Sequence, residues 1–119
     1  MPERWETLDE QIAYSCEGFD IVNERVALPG GTEAEFDYLT ESESAVILPF
    51  TADGDVVVID EWRHAVEREN YGLPAGSLEA DEDREEGARR ELREETGYEA
   101  GKIEYLGGFE PANGFSDAY

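Results

Sequence analysis

Residues 76–98 read GSLEADEDREEGARRELREETGY, and the register of charges in this stretch decides how the rest of the chain is read. From Asp83 onward the spacing predicts a helix. Asp83 can cap it, and Glu86, three positions on, completes a capping box. Ala88 and Leu92 fall i, i+4 on one face, and Gly97 is a natural C-terminal stop. Gly87 inside the helix costs about 1 kcal/mol relative to alanine, so the helix needs tertiary support. Glu91, Glu94 and Glu95 stand at i, i+3 and i+4 and project from neighbouring positions of one face. Like charges at this spacing repel by roughly a few tenths of a kcal/mol per exposed pair, so stability alone would not select them. Three converging carboxylates offer hard oxygen donors that suit Mg²⁺ or Mn²⁺. The bland alternative is a solvated, salt-bridged acidic face. Arg90 follows a different direction from Glu91 and is placed to tie back to the preceding loop.

Working outward, residues 19–28 read as a strand, with Phe19, Ile21, Val22, Val26 and Leu28 as β-formers. Pro29-Gly30-Gly31-Thr32 is a turn, and 34–39 is a second strand with Phe36 and Tyr38 on one face. These two form a hairpin. Residues 1–16 show no clear period. The run Ala45-Val46-Ile47-Leu48-Pro49-Phe50 is continuously apolar and predicts a strand buried on both faces. A turn at 52–55 and a second apolar run at 56–59 make 45–60 a second hairpin. Trp62 reads as a core residue, with a base-stacking platform as the alternative, and His64 as a packing or surface residue, with a ligand as the alternative. After the helix, 102–106 reads as a strand. Strands, one helix and a further strand give an α+β layered domain.

The chain has 119 residues, with 31 acids against 9 bases and a formal net charge of −22. Such a surface excludes nucleic acid as a default partner and argues against anionic membranes, because phosphate backbones are bound by basic surfaces. There is no apolar run of transmembrane length and no signal-peptide pattern at the N-terminus. Cys16 is the only cysteine, so no intrachain disulfide can form, and a cytoplasmic location is the simplest expectation. The acids are spread along the chain rather than gathered in a tail, and Lys102 is the only lysine. This texture suggests a protein of a high-salt cytoplasm, where ions screen self-repulsion.

Gly76, five residues, Glu82, seven residues, Arg90-Glu91-Leu92, one residue, Glu94-Glu95, one residue and Gly97-Tyr98 match the fixed positions of the Nudix box. The chain therefore resembles the Nudix hydrolases from about residue 19 to its end. The resemblance implies a mixed β-sheet with a loop-helix-loop box packed on it, and Mg²⁺- or Mn²⁺-dependent hydrolysis of a nucleoside diphosphate linked to another group. It implies direct metal ligation by Glu91 and Glu95, by Glu94 directly or through its water shell, and by the carbonyl of Ala75. It casts Glu94 and Glu95 as catalytic, and Glu82 with Arg90 as a brace between loop and helix. Tyr98 stands where an aliphatic residue is usual, and its ring is expected to cover the same core.

Leu73-Pro74-Ala75-Gly76 and Glu61-Trp62-Arg63-His64 resemble the ADP-ribose and nucleotide-sugar pyrophosphatase branch. There an arginine at the position of Arg63 contacts substrate phosphate, which suits a guanidinium fork. The alternative is that Arg63 merely pairs with one of the many acids. Residues 110–117 resemble a loop of the same branch, with Asn113 where proline is usual and Ala118 where glutamate is common. The hairpin at 19–39 resembles the N-terminal strands by which that branch dimerises, so a homodimer is implied. No basic residue lies between Arg25 and Arg63, so that arm brings no substrate arginine.

The expected organisation is one partial Nudix domain over 1–119, with 1–40 as an N-terminal β extension and with C-terminal strands and a helix missing. The expected reaction is pyrophosphate hydrolysis of ADP-ribose or a related nucleotide sugar to AMP and a sugar phosphate. The alternative is an inactive nucleotide-binding or assembly module of the same fold.

Overall fold

The computed structural model describes residues 2–119. They contain seven strands, a 3₁₀ turn at His64–Val66 and one α-helix. Two compact units are present among the described residues, one formed by 2–42 with 108–119 and the other by 43–107.

The first unit is a three-stranded antiparallel sheet in the order β1-β2-β3, formed by Glu6–Ser15, Asp20–Ala27 and Glu33–Thr40. The 2–3 hairpin closes where the sequence predicts. Gly30 and Gly31 take φ of 95° and 94°, and Leu28 N–H donates to the Thr32 carbonyl at 2.7 Å. Phe36 and Tyr38 share a face, their ring centroids 6.2 Å apart, and Trp5 meets Phe36 edge-on. β1 has no counterpart in the sequence expectation. Leu8, Ile12 and Tyr14 fall at alternate positions, but Glu10 interrupts them and the ladder shifts register between Thr7 and Asp9 and between Ile12 and Tyr14, so no clean period marks the strand. Residues 115–117 are strapped to β3. Leu39 N–H donates to the Phe115 carbonyl, Asp117 N–H donates to the Leu39 carbonyl, and Thr40 Oγ1 donates to Asp117 at 2.6 Å. The isolated Leu39–Ser116 bridge is parallel, beside a sheet whose three strands are all antiparallel. Val26 and Ala118 are its buried residues.

The second unit pairs β4 (Ser44–Val46) with β7 (Ala75–Ser77), and β5 (Ile59–Arg63) with β6 (Arg68–Gly72), both antiparallel. The helix α1 spans Arg84–Thr96 and packs on β4 and β7. Asp83 accepts from the N–H groups of Glu85 and Glu86, and Gly97 ends the helix at φ 78°. Arg89 donates to the carbonyls of Ala100 and Gly101, tying the helix to the turn that follows it. Pro74, Leu78, Gly87, Glu91 and Leu92 are buried here.

Three expectations need correction. The 45–50 run is not buried on both faces: Val46 is 58% and Phe50 64% exposed, while Ala45, Ile47 and Pro49 are half-buried. Only 44–46 finds a ladder partner there, in β7, so 45–60 holds a turn closed by a Phe50–Val56 bridge rather than a full hairpin. Residues 102–106 form no strand, because no other strand among the described residues pairs with them, and Tyr105 and Leu106 are exposed. The fold class is α+β, as expected.

Candidate active site

The site is built where the loop 76–83 returns to α1. Arg90 is its centre. Its Nε donates to Glu82 Oε2 at 2.7 Å and its Nη2 to Glu82 Oε1 at 2.8 Å, a bidentate fork. Nη2 also donates to the Ser77 carbonyl at 3.1 Å. Nη1 donates to Glu91 Oε1 at 2.9 Å and Glu94 Oε2 at 3.0 Å. All five guanidinium N–H donors therefore have a place to go. Glu82 also accepts from the N–H of Glu79. These bonds, the Arg90 fork first, hold the Glu82 carboxyl well below the usual range, at about 2. Glu82 in turn pushes the Arg90 guanidinium further toward its charged form.

Two glycines permit this closure. A Cβ on Gly76 would lie 2.2 Å from Glu91 Oε2, so the Glu91 carboxylate occupies the space a side chain would need. A Cβ on Gly87 would lie 2.3 Å from Leu78 Cδ2 and 2.9 Å from Glu82 Oε1. The helix accepts a poor helix former there because the loop packs directly onto its backbone.

The three helix glutamates differ in their surroundings. Glu91 is buried and paired with Arg90. Glu94 is largely exposed and shares the same Nη1. Partial desolvation, then Glu61 and Glu91, raise the Glu95 carboxyl above its ordinary range, while Arg63 works in the opposite direction. The structure thus brings Glu61, Arg63, Glu91, Glu94 and Glu95 into one electrostatic neighbourhood. Ala75 opens β7 directly before Gly76. Among the described residues, no three His, Cys, Asp or Glu side chains stand close enough together to hold a metal ion. The donors still fit a divalent cation in kind: hard carboxylate oxygens, with like charges around Glu95 that a cation would relieve.

Arg63 donates from Nη2 to Glu61 at 2.6 Å and is half exposed. Trp62 is 58% exposed, so its placement in the core is corrected; on a two-stranded ribbon its side has no covering layer. Its Nε1 donates to His64 Nδ1 at 3.2 Å, and His64 is a surface residue as expected. Tyr98 is also exposed and covers no core. Asn113 donates to Glu110 at 3.1 Å, and Ala118 is buried by its own packing. Glu61 is part of the quoted 61–64 stretch, but its sequence context assigned it no role of its own. Its signal was the i, i+2 spacing to Arg63, which puts both on one strand face.

The sequence pattern of the NUDIX domain matches residues 41–119, well over half the chain. The chain belongs to the Nudix family. It is 32% identical over 111 residues to the ADP-ribose pyrophosphatase of Bacillus subtilis (strain 168), covering 93% of this chain and 60% of that protein. It is 34% identical over 92 residues to the methanol dehydrogenase activator of Bacillus methanolicus, covering 77% of this chain and 50% of that one. A crystal structure of an ADP compounds hydrolase superposes with a TM-score of 0.88 at 21% identity, over 99% of this chain and 64% of that chain. The Nudix fold is thereby established. The chain spans between half and two thirds of the length of these three proteins. Divalent metal is the cofactor that Nudix hydrolases generally use, and the α1 carboxylates supply suitable donors. No helix among the described residues is long and apolar enough to cross a membrane.

Proposed function

We propose that this chain carries the metal-binding part of a pyrophosphohydrolase acting on a nucleoside diphosphate joined to another group. ADP-ribose or a related nucleotide sugar is the substrate, and AMP and a sugar phosphate are the products. The observation that carries the reading is the Gly76–Glu82–Arg90 closure, which builds Glu91 into a loop-helix joint beside two further glutamates of the same helix. The similarity to an ADP-ribose pyrophosphatase supports the substrate class.

Ala75 through its carbonyl, with Glu91, Glu94 and Glu95, supplies the donors that would hold Mg²⁺ or Mn²⁺. As they stand, the three carboxylates are not gathered into a cage, and Arg90 Nη1 engages Glu91 and Glu94, so binding would draw them together. The cation, when bound, activates the attacking water and neutralises charge on the phosphate oxygens. Glu94 and Glu95 are the catalytic carboxylates of this reading, acting as ligands that would orient the bound cation and its water; the group that takes the proton is not assigned to them. Glu82 and Arg90 fix the loop and the Glu91 rotamer without touching substrate. Arg63, half exposed beside this face, binds the diphosphate. The reading also takes residues 1–119 as one partial Nudix domain with a β extension at 1–40, working in a salt-rich cytoplasm as a homodimer, with no nucleic acid or membrane partner.

Incubation with ADP-ribose and Mg²⁺, followed by chromatography, tests the activity. AMP and ribose 5-phosphate are expected in equal amounts, and neither in EDTA. Binding without either product would favour a nucleotide-binding module. The engagement of both Glu91 and Glu94 by Arg90 is the observation that keeps this second reading in view.

A further inference from the structure

Successive side chains of a strand alternate, so Ile59, Glu61 and Arg63 of β5 share one side, with Asp60 and Trp62 on the other. On the first side Glu61 Oε1 accepts from Arg63 Nη2 at 2.6 Å. Across the ladder Glu61 lies opposite Asn70, and Arg63 lies opposite Arg68. Like charges directly opposite each other destabilise a strand pair, so the position of the Arg63 guanidinium depends on a neighbouring carboxylate. Glu61 is the more enclosed partner, its side chain 34% exposed against 53% for Arg63. Glu95 of α1 lies within electrostatic reach of both members of the pair.

We infer that Glu61 is a positioning residue, holding Arg63 by Nη2 beside the α1 carboxylates and leaving Nε and Nη1 to grip the diphosphate of the substrate. The inference rests on the pyrophosphohydrolase reading and adds to it a residue that touches no substrate. A long arginine side chain loses much rotamer freedom when it binds, and a carboxylate that fixes it beforehand removes part of that cost. The charge of Glu61 also repels the diphosphate. That repulsion crosses a partly hydrated surface and is screened, so ordering of Arg63 is the larger effect.

The test uses the whole chain with Mg²⁺ and a non-hydrolysable α,β-methylene analogue of ADP-ribose, its Kd measured by calorimetry, together with KM and kcat for ADP-ribose. Glu61→Ala is expected to weaken analogue binding and raise KM about tenfold while kcat changes less than about twofold. Glu61→Gln keeps an oxygen acceptor for Nη2 and is expected to restore Kd to within about threefold of the unaltered chain. In an Arg63→Ala background, Glu61→Ala is expected to add nothing, because the residue acts through Arg63. Unchanged Kd in Glu61→Ala would overturn the inference, as would a loss of equal size in the Arg63→Ala background. Failure of the unaltered chain to bind the analogue would overturn the pyrophosphohydrolase reading and this inference with it.

Discussion

One carboxylate, Glu82, carries the join between loop and helix. It accepts both prongs of the Arg90 fork and the N–H of Glu79, and its carboxyl is held at about 2, against an ordinary value of 4.5. The folded state therefore binds this proton less readily than the unfolded chain does. The stabilising contribution is complete above about 4.5 and is lost as pH falls through about 2. Denaturation midpoints of the unaltered chain and Glu82→Gln should thus differ most above pH 4.5 and converge toward pH 2; a difference that ignores pH would show that the ionised fork is not the stabilising contact. Glu95 behaves in the opposite sense. Desolvation and its acidic neighbours raise its carboxyl, so its charge opposes folding near neutrality and protonation relieves it. Glu95→Gln should reduce metal-dependent turnover by on the order of a hundredfold or more, while leaving stability equal or higher by roughly a few tenths of a kcal/mol at low salt. Activity that survives intact in this variant would remove Glu95 from the ligand set.

Among the elements, α1 was legible because its signals are local. Asp83, Gly97 and the i, i+4 pair Ala88 and Leu92 lie within the segment they define, and the helix runs Arg84–Thr96. The 20–40 hairpin was legible for the same reason, through its two glycines. What failed depended on partners. The apolar run at 45–50 does not say whether a second layer covers it, and the exposed Val46, Leu48 and Phe50 show one face without such a layer. Residues 102–106 have strand-like composition and no ladder partner among the described residues. At the site, the loop-to-helix pairing of Glu82 with Arg90 followed from the box resemblance, while the close fit of Gly87 against Leu78 did not, because spacing does not report close approach. That fit yields a prediction of sign. In an open helix Gly87→Ala would stabilise by about 1 kcal/mol. Here the added methyl group meets a buried leucine and a carboxylate pinned by Arg90, so a net loss of about 1–3 kcal/mol is expected in equilibrium unfolding. A gain would mean that the loop yields freely.

At the scale of the molecule, charge and apolar exposure act together. The chain carries −22, and its ion pairs are mostly exposed and individually weak; the Arg90 cluster is the enclosed exception. Buried apolar side chains are few among the described residues, with Val26 and Ala118 in one unit and Pro74, Leu78 and Leu92 in the other. A thin core leaves little stability to set against self-repulsion, so screening becomes a first-order influence on folding. The Debye length falls from about 30 Å at 0.01 M salt to about 8 Å at 0.15 M and about 3 Å at 1 M. Repulsion among dispersed surface carboxylates acts over the longer of these distances. The melting temperature should therefore climb steeply between about 0.01 and 0.3 M KCl and flatten toward 1 M, with NaCl giving the same curve at equal ionic strength. A rise that begins only at molar salt would point to stronger apolar burial instead, since ion exclusion acts without saturating in this range. A melting temperature indifferent to salt below 0.3 M would show that the −22 is spread too thinly to matter, and would remove the physical basis for reading the composition as salt-adapted.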